Sequence, residues 1–225
     1  MIKIIPAIIP HTKQQLEEEI KIVAHFAPLV QIDICDGTLT KTKTWPYNDR
    51  DVDFFESLKN EATGWPYWED VDIELHLMLK NPEESLLEWI KTGATSIVAH
   101  IEATANFQEV IDICRENAVS VGVAIKPSTD ISAIEPFAAQ VDFIQVMGSD
   151  LLGHHGLELD PKAVETIKAL HNLYPERIIA IDIGVREDTA EILVDAGATK
   201  LVSGSTILDA PSPESFYRVL EHLDE

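Results

Sequence analysis

Short apolar runs alternate with segments of helical periodicity along the whole chain. Apolar runs of about four to eight residues between turn residues are typical of strands buried in a parallel sheet. Thr12 and Asn81 are the predicted N-cap residues of two of the helices. The pattern predicts strands over residues 2–9, 29–34, 73–79, 96–100, 119–125, 142–147, 177–181 and 200–203. It predicts helices over residues 11–26, 51–60, 106–116, 130–139, 160–172, 187–196 and 212–223, and one more that begins at Asn81-Pro82.

Eight strand–helix units in a chain of 225 residues predict a closed (β/α)8 TIM barrel, formed as a single domain over residues 1–225. The alternative is a doubly wound open sheet. That fold usually has fewer strands and a glycine-rich turn after the first one, whereas the first turn here reads Pro10-His11-Thr12. The barrel is therefore favoured.

The connection over residues 38–72 interrupts the alternation. It contains Trp45-Pro46-Tyr47 and Trp65-Pro66-Tyr67-Trp68, which hold three of the four tryptophans. One interpretation is a helix flanked by two proline-containing loops that pack on the barrel rim. The other is a subunit interface or a lid over an active site, because exposed aromatic residues favour contact surfaces. Residues 148–158 form a second irregular stretch, predicted as a flexible loop after the sixth strand.

The charge of the chain narrows its expected partners. It has 17 Lys and Arg residues against 39 Asp and Glu residues, a formal net charge of −22. Such a surface repels phosphate backbones and anionic lipid headgroups, so neither nucleic-acid binding nor membrane binding is expected. The apolar N-terminal run is too short to span a bilayer and lacks a signal-peptide cleavage pattern. Cys35 and Cys114 show no metal-binding spacing, and a cytoplasmic location is expected.

Polar residues at the predicted carboxyl ends of the strands carry the candidate chemistry, because barrel active sites lie there. Asp33 lies within an apolar run, between Ile32 and Ile34, where an acid must be paired, bound to a metal or catalytic. His76 and Asp182 occupy the ends of the third and seventh strands. Two carboxylates and an imidazole suit one divalent ion such as Zn, Mn, Fe or Co. Two acids on opposite sides of a pocket also suit proton removal from one face of a carbon and return to the other.

These residues also have purely structural explanations. A lone histidine on an apolar strand, as at His76, is more often a hydrogen-bonded core residue than a ligand. Asp182 could cap the segment that follows it. Lys126, before a proline, is more often a solvated charge on the rim than a Schiff-base lysine. Asp36-Gly37 is interpreted as a turn. His100 and Glu102 are further polar residues at a strand end.

Small residues after the seventh and eighth strands predict a phosphate site. Gly184 follows the seventh strand, and the eighth runs into Ser203-Gly204-Ser205 and a short helix. Small side chains let backbone N–H groups approach a phosphate, and this pair of turns is the common phosphate site in barrels.

The order and spacing of these motifs resemble the ribulose-phosphate 3-epimerase family from the first strand to the last. The segment from Gln31 to Gly37 resembles the family's His-x-Asp-x-Met-Asp-Gly motif at the second strand. The other segments that resemble family motifs are His76-Leu77-Met78, His100-Ile101-Glu102-Ala103, Ala124-Ile125-Lys126-Pro127, Met147, Asp182-Ile183-Gly184-Val185 and Ser203-Gly204-Ser205.

The resemblance implies a metal-dependent isomerase that inverts C3 of a phosphorylated ketose, with ribulose 5-phosphate as the default substrate. Asp33 and Asp182 would transfer the protons, and one divalent ion would stabilise the enediolate. A homo-oligomer is also expected. The implied metal ligands are Gln31, Asp33, His76 and Asp182. The implied contacts to the substrate and its phosphate are Met78, Met147, Gly153, Gly156, Gly184, Gly204 and Ser205.

The chain departs from the family at several of these positions. Gln31 stands where the family has a histidine ligand, and a neutral amide oxygen is a poorer zinc ligand than imidazole. Ala7 replaces a serine that contacts substrate, Cys35 replaces a methionine, and Ile183 replaces a glycine. Residues 151–156 replace a Pro-Gly-Phe-Gly-Gly phosphate loop, and His154 or His155 is a candidate replacement for its contacts.

These departures leave two alternatives open. The chain could act on another sugar phosphate, such as allulose 6-phosphate, or be a catalytically inactive barrel that binds a sugar phosphate. Barrels with the Asp-x-Lys-x-x-Asp signature, such as the decarboxylase and hexulose-phosphate synthase group, are disfavoured. Their lysine would lie two residues after Asp33, where this chain has Cys35.

Overall fold

A computed structural model describes residues 2–48, 50–154 and 156–223. Parallel strands β1 to β8 pair in sequence order and close into a barrel, which confirms the predicted (β/α)8 fold. The strands are β1 (Lys3–Ile8), β2 (Leu29–Cys35), β3 (Asp72–Met78), β4 (Ser96–His100), β5 (Ser120–Ile125), β6 (Phe143–Met147), β7 (Ile178–Asp182) and β8 (Lys200–Ser203). The helices are α1 (Lys13–Val23), α2 (Val52–Lys59), α3 (Leu86–Ile90), α4 (Phe107–Glu116), α5 (Glu135–Ala138), α6 (Pro161–Leu173), α7 (Glu187–Asp195), α8 (Ser205–Leu208) and α9 (Pro213–Glu221).

Side chains along each strand point alternately to the layer between the strands and the helices and to the lumen of the barrel. On β2, Val30, Ile32 and Ile34 face outward into the apolar layer beneath the helices. Gln31 and Asp33 share the opposite parity and point into the barrel. The barrel lumen is accordingly rich in buried polar side chains, among them Gln31, Asp33, Glu74, His76, Ser96, His100, Gln145, Asp182 and Lys200.

Helix starts agree with the prediction where a capping side chain is present. Thr12 Oγ1 accepts the backbone N–H of Gln15 at 3.1 Å, and Asp160 Oδ1 accepts that of Lys162 at 2.9 Å. Asn81 does stand at the predicted N-cap position before Pro82, but its side chain accepts no backbone hydrogen bond. Its side-chain amide donates to Glu84 Oε1 at 2.9 Å, and its φ is 47°. A short 3₁₀ turn, Pro82–Glu84, follows it and precedes α3.

The single helix predicted over residues 130–139 is wrong. The chain forms a 3₁₀ turn over Ile131–Ala133 and then starts α5 afresh. Pro136 explains the break, because proline has no N–H to continue a preceding helix and is favoured in the first turn of a new one.

The long connection after β2 contributes Trp45, Phe55 and Trp65 to the hydrophobic core that also contains the outward-facing strand residues. Trp45 and Trp65 are buried and meet edge to face with ring centroids 5.8 Å apart, and Trp45 also contacts Phe55 of α2. This agrees with the rim-packing interpretation of both segments. Trp68 is the exception, since 64% of it is exposed.

The irregular loop after β6 folds over the carboxyl end of the barrel. Leu152 is buried there, and its carbonyl accepts a hydrogen bond from Thr40 Oγ1 at 2.6 Å. This contact joins the β6 loop to the β2 loop above the lumen. Among the described residues, no helix combines the length and apolar composition needed to cross a membrane.

Candidate active site

A cavity of about 230 Å³ opens at the carboxyl ends of the strands, where barrel active sites lie. At the floor of the cavity, Gln31 and His76 are buried and lie against the carboxylates of Asp33 and Asp182. The structure thus brings together most of the residues that the sequence singled out. The predicted site residues that line the cavity are Asp33, Met78, Met147, Gly153, Gly156, Asp182, Gly184, Gly204 and Ser205.

Asp33, His76 and Asp182 converge at the floor of this cavity. His76 Nδ1 lies 3.2 Å from Asp33 Oδ1 and 3.4 Å from Asp182 Oδ2. One possible ligand atom from each residue lies within 4.8 Å of the other two. Register pairs Asp33 with His76 across β2 and β3, while Asp182 comes from the far side of the barrel. The acids therefore approach the imidazole from two directions.

The electrostatics of this cluster favour a positive charge between the carboxylates. Burial lowers the pKa of His76, but hydrogen bonds with Asp182 and Asp33 outweigh it and raise that pKa to about 9. Burial raises the pKa of Asp33, and its hydrogen bond with His76 opposes the rise. The protonated imidazole occupies the place that a metal cation would take, so metal binding would release a proton.

Gln31 completes the cluster with an amide. Its Nε2 donates to Asp33 Oδ1 at 3.0 Å and to Asp182 Oδ2 at 3.1 Å. Its Oε1 is buried and has no hydrogen-bond partner among the described residues. Rotating the amide by half a turn would aim Oε1 at the carboxylates, which is favourable only around a cation. Two carboxylates, an imidazole and an amide oxygen fit a divalent metal ion.

The turn after β7 has an unusual backbone. Ile183 has a φ of 80°, which is a rare conformation for a β-branched residue, and Gly184 has a φ of 78°. Gly148 N donates to the Asp182 carbonyl at 2.6 Å, and a Cβ on Gly148 would lie 2.1 Å from the Ile183 carbonyl oxygen. The end of β6 thus holds the backbone of Asp182 through a contact that only glycine permits.

Backbone strain at Ile183 is testable with two substitutions. Ile183→Gly is expected to be more stable than Ile183→Ala by about 1 kcal/mol, because both remove most of the side chain but only glycine tolerates the positive φ. Urea unfolding of the two variants measures the difference. Equal stabilities would contradict the strained conformation.

The turn after β8 lies beside the β7 turn. Ser203 Oγ donates to the Val185 carbonyl at 3.2 Å and joins the two turns, so that Gly184, Gly204 and Ser205 form one wall of the cavity. This is where the sequence predicted a phosphate site.

Arg186 was not predicted as a site residue. Among the described residues that line the cavity, it is the one Lys or Arg side chain. Its guanidinium pairs with Glu158 and Asp188, each at 3.1 Å. Its position directly after the Asp182–Val185 motif was the available signal, since that motif already marked the β7 turn as a phosphate site.

Met78 and Met147 also line the cavity. They belong to one buried cluster inside the barrel that includes Cys35 and Leu152. Burial raises the pKa of the Cys35 thiol above its usual range, so it is not activated as a nucleophile. His154 lines the cavity and its Nε2 lies 3.3 Å from Thr42 Oγ1, whereas His155 lies outside the described residues.

Two further polar residues continue the cluster away from the cavity: Gln145, which was not predicted as a site residue, and His100. Gln145 Nε2 donates to Asp182 Oδ2 at 3.3 Å, and its parity with Met147 on β6 could have indicated that it points inward. His100 Nε2 lies 2.9 Å from His76 Nε2. Lys126 gives its backbone N–H to Glu102 and does not line the cavity, so a Schiff-base role finds no support.

Comparison with known proteins agrees with this arrangement. Residues 3–208 match the sequence model described as "Ribulose-phosphate 3 epimerase family". A ribulose-phosphate 3-epimerase of Chlamydia muridarum is 34% identical over 185 residues, which cover 80% of this chain and 75% of that protein. The ribulose-phosphate 3-epimerase of Schizosaccharomyces pombe is 27% identical over 214 residues, which cover 94% of this chain and 89% of that protein.

Solved structures support the fold independently. The 3-hexulose-6-phosphate synthase from Salmonella typhimurium superposes with a TM-score of 0.69 over 99% of this chain and 98% of that one. The sequence identity is 16%, so the likeness concerns the fold alone.

Proposed function

We propose that this protein inverts C3 of a phosphorylated ketose in a metal-dependent reaction. The premise is that the chain belongs to the ribulose-phosphate 3-epimerase family and is an isomerase acting on carbohydrates. Ribulose 5-phosphate is the default substrate and xylulose 5-phosphate its product. The observation that carries this proposal is the pair of buried carboxylates, Asp33 and Asp182, that reach one imidazole from different sides of the barrel.

The two acids have complementary roles in this reaction. One carboxylate removes the C3 proton from one face of the sugar, and the other acid returns a proton to the opposite face. Burial raises the pKa of Asp33, which brings this group closer to the range in which a carboxyl group can both accept and donate a proton. The roles of Asp33 and Asp182 exchange when the reaction runs backwards.

A divalent ion is part of the proposal. Asp33, His76, Asp182 and the amide oxygen of Gln31 would hold it. When bound, such an ion polarises the substrate carbonyl and stabilises the negative charge of the enediolate. Met78 and Met147 present polarizable sulfur to the planar intermediate from the cavity wall.

The activity can be tested by isotope exchange. Metal-loaded protein is incubated with ribulose 5-phosphate in deuterated water, and C3 is followed by NMR. Deuterium incorporation with inversion at C3 is the expected result. The cavity departs from the family pattern at Ala7 and in the β6 loop, so allulose 6-phosphate is assayed in parallel. No exchange with either substrate, despite bound metal, would contradict the proposal and favour an inactive sugar-phosphate-binding barrel.

Gln31 offers a test of the ligand set. Gln31→His is expected to tighten Zn²⁺ binding by about tenfold, because imidazole is a better zinc ligand than an amide oxygen. Gln31→Leu, which keeps the volume but removes the oxygen, is the matched control and should weaken binding. Competition with a chromogenic chelator measures both. Weaker binding by the histidine variant would show that Gln31 has a different function.

Arg186 is assigned to the phosphate of the substrate. The phosphate would lie against the backbone of Gly184, Gly204 and Ser205, in a cavity that also exposes several aspartates. A local cation is needed there because the chain as a whole repels anions. The guanidinium would exchange its exposed acidic partners for the phosphate.

Arg186→Gln is therefore expected to raise KM for ribulose 5-phosphate about tenfold, with little change in kcat. Arg218→Gln is the matched control, since Arg218 also pairs with two acids but lies on α9. Steady-state kinetics on the two variants distinguish them. An unchanged KM in Arg186→Gln would remove this residue from the phosphate site.

A further inference from the structure

A buried row of hydrogen bonds leads from His76 away from the cavity. His76 Nε2 lies 2.9 Å from His100 Nε2, and His100 Nδ1 lies 3.1 Å from Glu102 Oε2. Both imidazoles are fully buried, and their planes lie within 21° of parallel with centroids 5.0 Å apart. The rings therefore meet edge to edge, with one proton shared between two nitrogens.

Glu102 determines which atoms donate and which accept in this row of hydrogen bonds. Its Oε1 accepts the backbone N–H of Lys126 at 2.8 Å and the hydroxyl of Thr129 at 2.6 Å. Burial raises the pKa of Glu102, but hydrogen bonds from His100, Thr129 and Lys126 outweigh it and lower that pKa to about 2. An ionised carboxylate only accepts hydrogen bonds, so Nδ1 of His100 must carry the proton between them.

The remaining protons follow from this one. A neutral His100 with its proton on Nδ1 has only a lone pair on Nε2. His76 must then donate from its own Nε2, because two lone pairs at 2.9 Å would repel. Nδ1 of His76, which faces Asp33 and Asp182, is thereby the nitrogen that can release its proton and offer its lone pair to a metal.

We infer that His100 and Glu102 are positioning residues that fix the tautomer of His76 and keep its Nδ1 available to the metal. The inference rests on the metal site of the proposed function, but it assigns a task to two residues that touch neither metal nor substrate. Partners of metal-bound histidines typically change metal affinity by about 10- to 100-fold.

A purely structural role for Glu102 would be to anchor the loop that follows β4. Glu83 provides the comparison. Its carboxylate accepts the Thr104 hydroxyl at 2.8 Å and the Ala105 N–H at 3.0 Å, so it ties down a loop in the same way. No described contact joins Glu83 to a histidine. Glu83→Gln therefore reports the cost of weakening a loop anchor alone.

Glu102→Gln should exchange the donor and acceptor roles along this row of hydrogen bonds. The single oxygen of the glutamine amide is needed by Lys126 N–H and Thr129, so its NH2 group would face His100 Nδ1. His100 would then carry its proton on Nε2 and donate it to the lone pair of His76 Nε2. His76 would keep its only proton on Nδ1, and it could not release that proton to a metal without becoming an imidazolate.

The test combines two measurements on the wild type, Glu102→Gln and Glu83→Gln. Long-range ¹H–¹⁵N NMR of the metal-free proteins reports which nitrogen of His100 carries the proton. Titration with Co²⁺ alone gives the metal dissociation constant. We expect Nδ1–H in the wild type and in Glu83→Gln, Nε2–H in Glu102→Gln, and Co²⁺ binding about 10- to 100-fold weaker in Glu102→Gln only.

Three outcomes would overturn the inference. They are an Nε2–H tautomer of His100 in the wild type, equal Co²⁺ affinities for Glu102→Gln and the wild type, and an equal loss of affinity in Glu83→Gln. Because Co²⁺ binding is measured without substrate, a protein that binds the ion normally but fails to epimerise contradicts the proposed function alone. A wild type that binds no Co²⁺ overturns the metal site and the positioning role together.

Discussion

Asp182→Asn is expected to lower kcat for C3 epimerisation by about 10³-fold, because asparagine keeps the shape of the side chain but cannot move a proton. The affinity for the phosphate group should change little, since the turns after β7 and β8 bind it through other atoms. Steady-state kinetics at saturating metal give kcat, and competition by inorganic phosphate gives the affinity.

Asp33→Asn is the matched variant, because Asp33 contributes the second carboxylate of the same cluster. If each acid serves one face of the sugar, each single variant should retain slow deuterium exchange at C3 of only one of the two epimers. Epimerisation by Asp182→Asn at the wild-type rate would remove Asp182 from the acid–base role. Exchange of both epimers in both variants would show that another group moves the protons.

The sequence predicts which residues form the cluster of Asp33, His76 and Asp182, but it does not predict the distances between them. Asp33 stands out because alternation along β2 puts it on the face opposite Ile32 and Ile34, where a charge needs a partner. His76 and Asp182 then follow from their places at strand ends. The distances among them depend on barrel closure, which brings β7 near β2 and β3 across 100 or more residues of chain, as the 151-residue separation of Gln31 and Asp182 shows.

Helix ends and loops were harder to predict, because they depend on the hydrogen bonds and backbone conformation of individual residues. Asn81 has the residue type of a cap, but its side chain bonds Glu84 and its backbone is left-handed. Pro136 splits a segment whose periodicity alone favours one helix. The buried position of Leu152 depends on the conformation of the β6 loop, and the hydrophobic periodicity of the sequence does not predict loop conformation.

Gln31 shows how the sequence and the structure inform each other. The resemblance to family motifs marks this position as a ligand position, and the structure adds a buried amide oxygen without a partner beside two carboxylates. In the proposed metal site, a bound cation would give this oxygen the partner that it lacks.

The opposite end of the barrel lumen holds a second buried charge pair, between Lys200 of β8 and Glu74 of β3. Lys200 Nζ lies 2.7 Å and 2.6 Å from the two oxygens of Glu74, and Ser96 Oγ donates to the same carboxylate at 2.8 Å. The ammonium also lies 3.7 Å from the centroid of the Phe143 ring. Burial lowers the pKa of Lys200, and the carboxylate of Glu74 opposes that effect. Each charge is tolerated in the lumen because the other is present.

Lys200→Met is therefore expected to lower the free energy of unfolding by about 3–5 kcal/mol, because it leaves Glu74 charged and buried without its counterion. The double variant Lys200→Met with Glu74→Leu should recover most of that loss, since it removes both charges and leaves apolar side chains of similar volume. Chemical denaturation at neutral pH measures both, and epimerase assays on the folded variants should show unchanged KM, because the pair lies outside the cavity of Asp33 and Asp182. A single variant within about 1 kcal/mol of the wild type would show that solvent reaches Glu74 and screens its charge.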